Sequence, residues 1–206
     1  MMSYHEAMDE IATVQADLPP APGEEGYLSL ALANSVVTLP GGHHVDLLGT
    51  PEATTHWLTQ RDLAPPDAGL REMCAAQLRA LREQVRALFS AHAESLPALP
   101  AAVAAVNDAL TRVPTAPLLR WDDDTGPYRA APHPTTRVVD HALATLAADA
   151  ADLLTSDDAE RLTSCGSAPC TRFLLRRGRR HWCSTRCGDR ARAARAYARR
   201  ARSDVG

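Results

Sequence analysis

Four cysteines near the C-terminus, Cys165, Cys170, Cys183 and Cys187, carry the clearest chemistry in this 206-residue chain. They are spaced C-x4-C-x12-C-x3-C, and the fifth cysteine, Cys74, stands apart. Two close thiolate pairs suit one tetrahedral Zn²⁺ with Zn–S distances of ~2.3 Å, and four sulfurs leave no coordination position open for substrate. The metal is therefore read as structural. A segment of about 40 residues cannot bury enough surface to fold alone, so metal binding would supply most of its folding free energy.

Charge divides the chain at the same place. All 22 basic residues are arginine. From Arg161 onward there are 13 arginines against Asp189 and Asp204, a balance of +11, whereas residues 1–160 hold 9 arginines against 23 acids, or −14. The basic tail suits a polyanion and the acidic body repels one. Aromatic residues make up 4% and there are 15 prolines, which predicts an Ala- and Leu-rich core broken by turns. No apolar run is long enough for a membrane span, and the start lacks a secretory pattern, so a cytoplasmic location is expected. Clustered cysteines there bind metal more often than they form disulfides.

The remaining reactive residues read as structural. Cys74 falls on an apolar helical stripe, where a free thiol packs as a small hydrophobe. His43, His44 and Asp46 form a loop cluster without a metal-ligand motif, and neither His133 nor His141 belongs to an identifiable motif. His181 faces solvent or phosphate once four cysteines complete the zinc shell. The run Asp122–Asp124 lacks the glycine and distal glutamate of a calcium loop and suits a turn. With no nucleotide-binding loop or local catalytic motif, the chain is expected to be no enzyme, although triads assemble from distant positions.

Around these residues the pattern is mainly α with a minor β element. A short helix, Glu6–Leu18, ends at Pro19, within a flexible arm spanning 1–25. Tyr27–Leu39 alternates partly and also permits a helix; Leu28–Leu39 with Trp57 could line a ligand pocket or belong to the core. Thr50 and Pro51 cap a short helix carrying Trp57 and Leu58. Between Pro66 and Ser95, Cys74, Leu78, Leu81, Val85 and Leu88 mark one helical stripe. A helix from Pro100 ends before Pro114, and Leu118–Trp121 with Tyr128–Ala131 forms a hairpin around DDDTGP. A long helix follows Pro134 to Leu154, and Ser156 caps the turn after it.

In the last segment, FLL and RRHW are expected to pair as strands around Arg177 and Gly178, with Cys187 in the first turn of an Ala- and Arg-rich helix. Knuckle, hairpin and helix together describe a treble-clef-like finger. On that helix Arg192, Arg195, Arg199 and Arg202 step by 3, 4 and 3, beside a stripe of Ala191, Ala194, Ala198 and Ala201 expected to pack inward. Arg186 and Arg190 lie nearer the cysteines, where they brace thiolates or join the basic surface.

The string HWCSTRCGDRARAARAYARR, His181–Arg200, resembles the CGNR zinc finger, with Cys187, Gly188, Asp189 and Arg190 in its signature positions. Asp189 stands where that family has Asn, and the hairpin is shorter, without its Asp-x-Ser segment. LSLALANSVV at Leu28–Val37, then Asp46, Leu47, Trp57 and Leu58, and the Asn107–Leu110 piece resemble the ABATE domain that precedes this finger. The resemblance implies an ABATE-like domain over 26–160 and a zinc finger over 161–206, in a family of stress-induced transcription regulators. Duplex DNA is then the expected partner of the finger, and a small-molecule signal or a protein that of the body. The alternatives are RNA, or a zinc-stabilised adaptor docking its arginine helix on an acidic protein. Finger and body are expected to have separate cores, so that chelation would unfold the finger alone.

Overall fold

The structure, a computed structural model, describes residues 19–38, 44–113, 118–130 and 137–203, with side chains of 130 and 201–203 left aside. The expected helix Glu6–Leu18, His43, His133 and the side chains of Ala201 and Arg202 lie outside the described residues.

The described part of Tyr27–Leu39, residues 27–38, divides between both readings. Helix α1 (Leu28–Ala33) is buried from Ser29 to Ala33, and its first turn is fixed by Asp149, which accepts from Ser29 N at 2.6 Å. After Asn34 and Ser35 the β-branched Val36, Val37 and Thr38 form β1, antiparallel to β2 (His44–Asp46). Helix α2 (Pro51–Thr59) starts as expected, Thr50 Oγ1 accepting from Ala53 N at 3.2 Å.

The body's scaffold is three helices: α3 (Glu72–Ala93), α4 (Pro100–Leu110) and α5 (Val138–Thr155). They pack on one another and, together with α1, enclose the core around Trp57, Leu78, Val85, Phe89, Leu143, Leu146 and Leu153. The stripe on α3 begins at fully buried Ala75, and Cys74 is only half-buried. Trp57, Leu30 and Leu32 are core residues rather than pocket lining. Asp46 clamps Arg82 of α3 through two oxygens, at 2.6 and 2.9 Å, while His44 meets Thr38.

In a two-stranded ribbon, β3 (Leu118–Asp122) and β4 (Gly126–Ala130), all of β3 and Pro127–Arg129 of β4 are exposed. Asp122 organises its turn by accepting from the backbone of Asp124 and Thr125, which settles the aspartate run as turn chemistry.

The finger departs from expectation in its pairing. Phe173–Leu175 (β6) pairs with Leu162–Ser164 (β5), which follows the capped 3₁₀ turn Asp157–Arg161. From the arginine-rich segment only an Arg177–Arg180 bridge is made. Leu162 is buried against the body, whereas residues 176–180, with their four arginines, are exposed. Leu162, Phe173 and Leu175 accordingly belong to the body's core, with the Phe173 ring edge-on to Phe89 at 5.7 Å. Leu174, on the opposite face of β6, packs instead with Ala21, Cys165, Cys183 and Cys187, so the finger keeps a small core of its own while β5 and β6 also pack on the body.

Residues 19–25, expected as the end of a loose arm, form a strap across the finger. Ala21 is fully buried beside the cysteines. Pro22 O accepts from Leu175 N at 2.8 Å, and Arg172 donates to Pro19 O and to Glu24. At Gly23, φ is +102° and a Cβ would lie 2.6 Å from Leu175 Cγ, so the close crossing requires glycine.

Candidate metal centre and basic helix

The backbone around β5 and β6 brings the four cysteines to one point. Cys165 N donates to Arg172 O at 2.8 Å as the strands part, and Gly166 N reaches His181 O at 2.9 Å. Cys170 N closes a tight knuckle onto Ser167 O, also at 2.8 Å. The last pair sits at the start of α6 (Thr185–Ser203), where Ser184 Oγ accepts from Cys187 N at 3.2 Å and caps the helix.

The Sγ atoms of Cys165, Cys170, Cys183 and Cys187 all lie within 4.8 Å of one another. Cys170–Cys183 and Cys183–Cys187 are 3.7 and 3.6 Å apart, against the edge of ~3.8 Å that a tetrahedral ZnS₄ centre requires. Three of the four residues are buried, and Cys170 is half-buried. Cys74 is not part of the cluster.

Electrostatics point to a cation at the same place. Four sulfurs this close cannot ionise together without one. Hydrogen bonding to Cys165 raises the Cys170 thiol, and hydrogen bonding to Cys165 and Cys170 together with burial raises Cys183. Cys165, accepting from Cys170 and Cys183, is lowered. Burial opposes the charge of Arg172, but Glu24 and the sulfurs of Cys183 and Cys170 outweigh it and hold the guanidinium strongly protonated. Ser167 Oγ, Arg172 Nε, Trp182 Nε1 and Arg190 Nη1 are buried donors without a hydrogen-bond partner. A centre whose thiolates outnumber the charge of its ion supplies the negative potential they lack. The cysteines thus form one closed, structural zinc site.

Helix α6 leaves this centre with its basic side chains outward. Arg186, Arg192, Arg195, Arg199 and Arg200 are exposed, and Arg190 is half-buried. Arg192 pairs with Asp189. Arg192 and Arg195 lie 5.8 and 5.7 Å from the Trp182 ring centroid, so that ring sets the direction of the basic stripe. Gly188 is buried under the same indole, where a Cβ would stand 3.3 Å from the ring. Among the described side chains of the alanine stripe only the first packs: Ala191 is buried, but Ala194 and Ala198 are exposed and Tyr197 is 77% exposed. The helix projects beyond the finger instead of lying along its hairpin.

Sequence reasoning located the four ligands but not Arg172, the Ser184 cap or the strap. Glu24 pairing with Arg172 joins residues 148 positions apart, and no local pattern announces such a contact. The Ser184–Cys187 spacing was a legible cap signal.

Among the described residues no helix is long and apolar enough to cross a membrane. A family model described as "Putative stress-induced transcription regulator", the ABATE domain, matches residues 26–157, and the CGNR zinc finger matches residues 161–200. No curated protein matches the chain. With the first match covering more than half of the sequence and the second falling on the cysteine centre, the chain belongs to the ABATE family and carries a CGNR zinc finger.

Proposed function

We propose that the chain is a cytoplasmic DNA-binding transcription regulator that reads duplex DNA with α6. The exposed arginine stripe Arg192, Arg195 and Arg199 carries this reading. It is anchored at one end by the zinc centre and separated from a body of opposite charge. Guanidinium groups meet phosphate oxygens in bidentate geometry, and a helix of this length fits the major groove. Arg202 continues the stripe by its spacing, and Arg186 and Arg190 flank it. The acidic domain contributes no DNA contact and responds to a small-molecule signal or a protein. A cleft lined by Pro20, Glu24, Leu28, Gln60 and Arg61, where the strap meets α1 and α2, is the surface to examine for it. The reading assigns no catalytic step to the chain.

Binding to mixed-sequence duplex DNA across salt concentrations tests this. Four phosphate contacts give a slope of log affinity on log salt near −3.6, from ~0.9 per phosphate. An Arg195→Ala, Arg199→Ala variant should flatten the slope by nearly two units. Equal slopes and affinities for both proteins would reject the assignment. Exposed Tyr197, Ala194 and Ala198 favour a second reading, an adaptor helix docking on an acidic protein. That reading predicts loss of partner binding in Tyr197→Ala with DNA affinity unchanged, and RNA in place of DNA would show as tighter binding at matched salt.

A further inference from the structure

Among the described residues, the β3–β4 ribbon carries four of the exposed large hydrophobic side chains. Leu119 and Trp121 are 74% and 73% exposed, and Leu118 and Tyr128 about half. Pairing of Trp121 with Pro127 and of Arg120 with Tyr128 puts Leu119 and Trp121 on one face, and Leu118, Arg120 and Tyr128 on the other. A lone two-stranded ribbon is marginal in water, and three or more strands are needed for independent stability. Both edges are unpaired among the described residues. They are not equivalent. Strand β4 carries Pro127, which cannot donate to a ladder, whereas β3 has no proline, so every amide that points away from β4 can donate.

We propose that two copies of the chain associate by antiparallel pairing of their β3 edges, centred on Trp121. Charge selects this partner and register. With Trp121 opposite Trp121 of the second copy, Arg120 faces Asp122 of that copy, and the reciprocal pair forms by symmetry. Shifting the centre to Arg120 would oppose two arginines, and shifting it to Asp122 two aspartates, so like charges disfavour the adjacent registers. The acidic tip Asp122–Asp124 makes the same ribbon a poor ligand for nucleic acid. Pairing turns two marginal ribbons into one four-stranded sheet, and each Trp121 covers the other. The association is separate from whatever α6 binds.

Sedimentation of the zinc-loaded protein in a dilution series up to ~100 μM should show a reversible monomer–dimer equilibrium. Arg120→Glu and Asp122→Arg should each weaken self-association at least tenfold. Mixed one to one, those two variants should recover dimers as heterodimers, because every facing pair is again opposite in charge. Asp122 also holds the turn, so Trp121→Glu gives an independent loss that leaves the turn residues in place. A wild-type chain that stays monomeric throughout would overturn the proposal, as would a dimer indifferent to both Arg120→Glu and Trp121→Glu.

Discussion

The side-chain amide of Asn34 makes both backbone hydrogen bonds of Phe173: Oδ1 accepts from Phe173 N at 2.7 Å, and Nδ2 donates to Phe173 O at 2.9 Å. One residue after α1 thereby acts as a strand partner for the finger's β6. Nδ2 also donates to Glu24, which accepts from Arg172. Arg86 of α3 adds a clamp, donating to Ala33 O and Thr171 O. The zinc centre is thus tied to the body through buried polar groups as well as through β6, whose Phe173 and Leu175 lie in the body's core and whose Leu174 lies against the cysteines.

Asn34→Ala should cost about 3 kcal/mol, since it leaves the buried amide and carbonyl of Phe173 unpaired. Urea unfolding of the zinc-loaded protein measures it. A loss below about 0.5 kcal/mol would show that the amide contributes nothing net.

Chelation of zinc should destabilise the whole chain in one cooperative step, because Leu162, Phe173 and Leu175 belong to the body's core. Hydrogen exchange should report lowered protection in α1 and α3 as well as in 162–190. Unchanged protection of those helices after complete metal loss would mean that the finger unfolds alone.

Gly23→Ala should destabilise by about 2–3 kcal/mol, combining a positive φ with a collision against Leu175. Gly26→Ala, where a Cβ meets nothing closer than 3.7 Å, is the control and should change the thermal midpoint far less.

Asp46→Asn should cost about 2–3 kcal/mol at neutral pH by stranding buried Arg82. Burial resists ionisation of Asp46, but hydrogen bonds from Arg82 and Leu48 N hold its pKa below the usual carboxylate range. Its contribution is therefore complete above about pH 4, the unfolded value, and is lost as pH falls through the depressed folded value. Acid unfolding curves of wild type and Asp46→Asn should converge at low pH. Parallel curves would remove Asp46 from the acid response.

Local chemistry was legible in the sequence. The spacing of Cys165, Cys170, Cys183 and Cys187 named the zinc ligands because tetrahedral thiolate coordination restricts loop lengths, and the arginine excess marked the basic helix. The Thr50 cap, the α3 stripe and the β3–β4 turn were likewise set by neighbours three to five residues apart. Tertiary structure decided what depends on burial. Whether Phe173–Leu175 pairs with Leu162–Ser164 or with the arginine segment turns on which strand buries a leucine against Phe89. Whether Asn34 is a helix end or a strand partner depends on a segment 139 positions away. The same holds for the strap and for the exposed half of the alanine stripe: a pattern of residue types states which face can be buried, and only the packed chain supplies the surface that buries it.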